Sequence, residues 1–186
     1  MADAQALVAS LREGQVRLEL LAEHHVEPLR AACARDPDIW DIYPVSWHGA
    51  HFDAAMAETA RFHGEGARVP FAVVQGGAVV GMTNYLNPDA ANGVVEIGGT
   101  YIEPAVRGTG VNGAMKRLMI GHAYACGFNR IEWRVDTRNA RSMAAVLKLG
   151  ATHEGTLRRN RVTWTGYVRD TAVFGLLRAE WPSDLT

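Results

Sequence analysis

The chain is poor in several features that would fix its class at once. It has two cysteines in 186 residues, Cys33 and Cys126, and they share no motif spacing. That excludes a disulfide framework or a cysteine zinc site and suits a reducing cytoplasm. Cys126 falls on the apolar stripe of a helix-like segment, where a thiol acts as a small hydrophobe. No apolar run reaches the ~18 residues that a membrane span needs. The opening MADAQALVASLREGQVRLEL lacks the basic start and long apolar stretch of a secretory signal. Excess charge is missing too: 19 Lys and Arg stand against 20 Asp and Glu, a net charge of -1. A broad surface for nucleic acid or an anionic membrane needs a basic excess, so neither partner is expected. Repeats, low-complexity tracts and dividing linkers are also missing. The remainder, 48% hydrophobic and 21% charged, fits one globular domain over 1–186 with its core at about 15–181.

Periodicity supplies the elements. Residues 1–14 read as a helical or loose lead-in. Val16-Arg17-Leu18-Glu19-Leu20 alternates and predicts a strand. Helical spacing follows over His24–Arg35, through Val26, Leu29 and Cys33. It recurs over Phe52–His63, through Phe52, Met56, Thr59 and Phe62. The stretch between them is aromatic and irregular. Pro70–Gln75 and Ala78–Leu86 read as strands joined by the two-residue turn Gly76-Gly77. Val94–Ile102 is the next strand, and Gly98-Gly99 within it predicts a bulge or a splay. Asn112–Cys126 has a strong apolar stripe closed by Gly127. Arg130–Asp136 alternates again. Asn139 caps a helix that stops at Gly150. Thr152–Arg161 and Tyr167–Leu177 form a hairpin around Trp164-Thr165-Gly166. The order β-α-α-β-β-β-α-β-α-β-β predicts a mixed α/β fold with helices on both faces of the sheet.

The richest segment is Arg107–Asn112, RGTGVN, between a strand and a helix start. Helix N-terminal amides lack intrahelical partners and carry partial positive charge, so such a turn suits a phosphate. Gly108 and Gly110 allow positive φ and close backbone approach, and Arg107 adds charge. No Lys-Ser/Thr follows, so a P-loop is excluded. Gly108–Gly113 does spell G-x-G-x-x-G, and Asp136 lies at a tolerable distance for the acidic partner. However, that fingerprint belongs after the first strand of a parallel unit, and here four hairpin-like strands precede it.

The element order and this loop resemble the GCN5-related N-acetyltransferase (GNAT) superfamily, whose phosphate motif is [R/Q]-x-x-G-x-[G/A]. Arg107, Gly108, Thr109 and Gly110 match, and Asn112 departs at the last position. That departure fits the RimJ/RimL-like branch of ribosomal-protein N-terminal acetyltransferases. The tail matches the same branch at Asn139, Ser142, Lys148-Leu149-Gly150, Glu154-Gly155, Leu157-Arg158, Gly166 and Arg169-Asp170. Ala151 stands where Phe is usual. The resemblance covers about residues 15–181 and is strongest after residue 93. It implies a mostly antiparallel twisted sheet, splayed after the fourth strand of the order above.

The activity so implied is transfer of an acetyl group from acetyl-coenzyme A to a primary amine, with a protein or peptide N-terminal α-amine first. The resemblance places the pyrophosphate on Arg107, Gly108, Thr109, Gly110, Val111 and Asn112. The pantetheine arm then lies along Tyr101 and Ile102, with a backbone oxyanion donor near Gly98-Gly99. Asn139 contacts the pantetheine chain, and Ser142 faces the departing thiolate; the plainer reading of both is helix capping. The tyrosine acid common in relatives is replaced by Val146. Glu96 is the candidate general base, with a solvent-facing strand Glu as the alternative. Trp40, Tyr43, Trp47 and Trp164 are candidate acceptor contacts. Arg158, Arg159 and Arg161 form a candidate basic rim for an acidic acceptor, or simply solvated hairpin charges. His24, His25, His48, His51 and His63 lack completing ligands, so no metal is expected. A small-molecule amine acceptor stays open, as does a non-catalytic acyl-coenzyme A sensor. The branch often forms homodimers.

Overall fold

The computed structural model describes residues 1–182. Eight strands form one sheet in the order β1-β2-β3-β4-β5-β6-β8-β7. They are β1 (Leu11–Glu13), β2 (Val16–Leu20), β3 (Arg68–Gln75), β4 (Ala78–Asp89), β5 (Val94–Ile102), β6 (Arg130–Asp136), β7 (Thr152–Val162) and β8 (Val168–Leu177). The helices are α1 (Val26–Cys33), α2 (Phe52–Gly64), α3 (Val111–Ala125) and α4 (Ala140–Leu147). Every neighbouring pair is antiparallel except β5 and β6.

Each side of the sheet carries its own core. Strand residues such as Leu18, Phe71, Val73, Tyr85, Val95 and Ile97 pack with the α3 stripe of Met115, Met119, Ile120 and Ala123. Leu29 and Cys33 of α1 and Phe52 and Ala55 of α2 pack instead with Met82 and Tyr101. Met82 and Tyr85 are an odd number of positions apart along β4, and alternation sends them to opposite faces. Helices therefore cover both faces, as the element order predicts.

Two junctions shape the site. The β5–β6 pairing covers only Val94, Val95 and Glu96 against Arg130, Ile131 and Glu132. Past Glu96 the two strands separate, and the backbone edge of β5 loses its strand partner. The β4–β5 register also slips between Met82–Tyr101 and Asn84–Gly98. Gly99 sits at φ +57, and the Asn84 amide donates to the carbonyls of Gly98 and Gly99 at 3.2 and 3.4 Å. The glycine pair thus marks both a bulge and the splay.

The structure corrects the sequence reading in three places. The lead-in holds a 3-10 turn, Gln5–Leu7, and a short edge strand, β1, hairpinned to β2 around Gly14 at φ +58. Three residues are too few to show alternation. Strand β4 runs on through Asn87-Pro88 to Asp89. Finally, α3 starts at Val111, because Gly110 in the left-handed region takes the N-cap.

Candidate active site

The splay opens a cleft of about 540 Å³ between β5 and β6. Glu96 lies at its floor and Gly108 and Asn112 at its far end. From Glu96 to Ile102 the strand advances roughly 20 Å.

The α3 end is built from backbone. Gly108 and Gly110 hold φ of +80 and +94, and a Cβ at either would meet no atom within 4 Å. The glycines are needed for conformation, not space. No side chain caps α3, so its first amides face outward unpartnered. Arg107 is committed elsewhere. Its Nη1 pairs with Asp36 at 2.6 Å, its Nε donates to the Ile102 carbonyl at 2.8 Å, and the guanidinium lies over the Tyr101 ring. A second ion pair, Arg35 with Glu103, joins the same two segments. Arg107 therefore fixes the entry to the loop, and the amides are what it presents to an anion.

Across the cleft, Asn139 caps α4, its Oδ1 accepting from the Ser142 amide at 3.0 Å. Asn139 and Ser142 both line the cleft, and the cap leaves the Asn139 amide nitrogen and the Ser142 hydroxyl uncommitted. Asp136, the acidic residue weighed for a dinucleotide, is buried and takes three hydrogen bonds from Arg138. With a mostly antiparallel sheet, this removes the dinucleotide reading.

Glu96 points into the cleft, 14% exposed, with Arg134 3.8 Å away. Burial raises its carboxyl above the ordinary range, offset in part by Arg134 and Arg161. On α3 itself, lining the cleft, stands Lys116, which sequence reasoning passed over. It is 6% exposed, and burial lowers its amine to about 7. Its Nζ donates to Thr100 Oγ1 at 2.9 Å. Thr83 gives its proton to Met119 Sδ, so the chain runs Lys116 to Thr100 to Thr83. The available signal was a lysine on the buried stripe of α3 with Met119, Ile120 and Ala123.

The aromatic candidates divide. Tyr43 and Trp47 line the cleft. Tyr43 donates to the Thr100 carbonyl at 2.6 Å, and burial pushes its phenol up to about 12. Trp40 is fully buried and donates to the Cys33 carbonyl, packing on Tyr101. Tyr101 is buried as well, its hydroxyl donating to the Ala32 carbonyl at 2.8 Å. Its side chain belongs to the α1 core, leaving its backbone at the β5 edge. Trp164 is 41% exposed and outside the cleft lining, where it donates to the Trp40 carbonyl. It pins the β7–β8 turn against the irregular segment. Ile102, Arg107, Gly108 and Asn112 line the cleft, whereas Thr109, Gly110 and Val111 shape the loop behind it.

Some tail motif residues are structural. Glu154 forms a two-pronged pair with Arg130, and Asp170 accepts the amide of Arg159, which sits at φ +48. Among the described residues, one group of three metal-type ligands gathers: Glu19, His24 and His25. His25 Nδ1 accepts the Ala22 amide, its Nε2 faces Glu19, and Arg17 pairs with Glu19. That cluster is a cap and an ion pair.

Residues 15–152 match the family model for the acetyltransferase (GNAT) domain, and the chain belongs to this family of acetyltransferases, enzymes that use acetyl-coenzyme A. It is similar to a solved structure from Chromobacterium violaceum described as a probable acetyltransferase of the GNAT family. The two are 31% identical with a TM-score of 0.84, covering 94% of this chain and 93% of that one. A GCN5-related N-acetyltransferase from Brucella melitensis is 28% identical, TM-score 0.84, covering 95% and 81%. RimJ from Mycobacterium smegmatis, solved with CoA-disulfide, shares the fold at 21% identity and TM-score 0.80, covering 95% and 89%. No curated protein matches the chain. No described helix is long and apolar enough to cross a membrane.

Proposed function

We propose that this chain moves an acetyl group from acetyl-coenzyme A to a primary amine, with a protein or peptide α-amine as the preferred acceptor, in the manner of the RimJ/RimL-like branch. The observation that carries the reading is one cleft with free helix amides at one end and a carboxylate of raised pKa at the other.

The cofactor pyrophosphate rests on the amides at the start of α3. The pantetheine amides add to the unpaired edge of β5 as an extra strand, with Asn139 opposite. This places the thioester near Gly98–Thr100, where a backbone N–H stabilises the oxyanion. The acceptor enters beside Tyr43 and Trp47. Its nitrogen attacks the thioester carbon, its proton passes to Glu96, and the carbon–sulfur bond breaks. Ser142 donates a hydrogen bond to the departing thiolate, the role that Val146 cannot fill. The raised pKa makes the Glu96 carboxylate a better proton acceptor than an ordinary glutamate. An α-amine of pKa about 8 is already roughly a tenth neutral at pH 7, whereas a lysine amine near 10.4 is almost wholly charged. One modest base therefore favours the α-amine.

The test is thiol release from acetyl-coenzyme A with two peptide sets, one with a free N-terminus and no lysine, the other blocked at the N-terminus with one lysine. Turnover with the first set alone is expected. Turnover with the lysine set alone would overturn the α-amine assignment. Cofactor binding with no turnover on any amine would favour the sensor.

A further inference from the structure

The floor of the cleft holds more positive charge than the proposed chemistry uses. Arg68, Arg134, Arg161 and Arg169 all line it around Glu96. Arg134 is spent on Glu96 and Glu132, at 3.8 and 3.5 Å. The other three form no ion pair among the described residues, although the chain makes such pairs freely elsewhere.

Their placement follows from strand register. Arg68 pairs with Leu86, and Leu86 with Glu96, so Arg68 stands in the cross-strand row of the candidate base. Arg161 and Arg169 are direct cross-strand partners on β7 and β8. Arg169 is 3% exposed. Its Nε donates to Thr171 Oγ1 at 3.0 Å, and its Nη2 reaches the Arg134 carbonyl at 3.4 Å, which brings the guanidinium back towards Glu96. Arg68 gives one bond to Thr59 Oγ1 at 2.7 Å, and its Nε is buried with no partner. Glu58 and Glu96 lie near Arg68, and Asp136 and Glu96 near Arg169, but none of them closes to an ion pair, and the usual partner of a largely buried guanidinium is a carboxylate or phosphate in direct contact.

These cations sit away from the α3 amides that suit the cofactor phosphates. Arg134, Arg161 and Arg169, though not Arg68, also line a second, polar hollow of about 600 Å³ that continues the cleft past Glu96, where Asp89 and Glu132 join Glu96 as the acidic lining. We propose that the floor of the cleft is an anion subsite for the acceptor, formed by Arg68, Arg161 and Arg169, and that the preferred acceptor bears a carboxylate close to its reacting amine. The proposal rests on the acetyl-transfer reading of the cleft and names the substrate class within it. It narrows the basic rim expected from the sequence: Arg161 stays, Arg158 and Arg159 drop out of the cleft lining, and Arg68 and Arg169 replace them. The cost is visible in Arg68 and Arg169, whose guanidinium groups burial shifts away from the charged form.

The test is calorimetric binding to the full chain saturated with coenzyme A, which needs no turnover. Two pairs of ligands separate the sources of carboxylate. Amidated tetrapeptides beginning Ser-Glu and Ser-Gln probe a side-chain carboxylate. Glycine and glycinamide probe the carboxylate of a free amino acid. Within at least one pair, the acid should bind about tenfold tighter than its amide. Arg161→Met and Arg68→Met should each bring that ratio close to one while leaving coenzyme A affinity unchanged. Arg161→Met, at an exposed position, keeps the test valid if the buried variant misfolds. Equal binding of acid and amide in both pairs would overturn the subsite, and so would a preference that survives in Arg161→Met. Acid-selective binding without acetyl transfer would instead sink the catalytic reading and leave the subsite standing.

Discussion

The two ends of the cleft are made differently. The α3 end is backbone: two glycines at positive φ, an uncapped helix start and an unpaired strand edge. The Glu96 end is side chain: one carboxylate and a ring of arginines drawn from β3, β6, β7 and β8. Backbone recognition suits a ligand that does not vary, because main-chain amides are the same in any sequence. Side-chain recognition suits a ligand that sets specificity, because each contact can be changed alone. This division predicts that the two ends fail separately when altered.

The largest expected effect is on turnover. Glu96→Gln should lower kcat by about 100-fold with an α-amine acceptor. Wild-type activity should fall as pH drops through the raised pKa of Glu96, since only the carboxylate takes a proton. The variant should lose that acid limb, so pH–rate profiles of the two proteins check the assignment. An unchanged limb in Glu96→Gln would move the base elsewhere.

Gly110→Val should weaken acetyl-coenzyme A binding by about 10- to 100-fold. The reason is strain: a β-branched residue at φ +94 costs on the order of 1–3 kcal/mol, although no atom blocks its Cβ. Ser142→Ala should lower turnover by about tenfold with little change in cofactor affinity, the value of one hydrogen bond to a developing charge. Parallel changes in kcat and affinity would make Ser142 a binding residue only.

The last effect concerns stability rather than turnover or binding. Lys116 is held near pKa 7 in the fold and sits near 10.4 when unfolded. Between those values the unfolded chain binds more protons, so this group makes stability rise with pH from about 7 towards 10. Below 7 the penalty of burying the charge is present in full. Lys116→Met should melt higher than wild type at pH 6, and the gap should shrink by pH 9. A pH-independent gap would mean that Lys116 is not a buried, titrating amine.

The same contrast explains what the sequence disclosed. The RGTGVN loop was legible as a glycine turn into a helix because its conformation is written in consecutive residues, and the helix behind it carries a full apolar stripe. Gly98-Gly99 announced a break in β5 for the same reason. Asn139 was legible as a cap, with the structure supplying the bond to the Ser142 amide. The arginine cluster was mostly illegible. Arg68 and Arg169 stand 101 positions apart, and only the sheet order brings both to Glu96. Trp40 and Tyr101 show the opposite limit. Their aromatic character marks a pocket wall and a core equally well, and packing against α1 sends both side chains to the core.

Titration calorimetry of acetyl-coenzyme A into wild type, Glu96→Gln and Gly110→Val tests the division most directly. One site of equal affinity is expected in wild type and Glu96→Gln, with binding weakened at least tenfold in Gly110→Val. Equal binding in all three, or loss in Glu96→Gln alone, would contradict it.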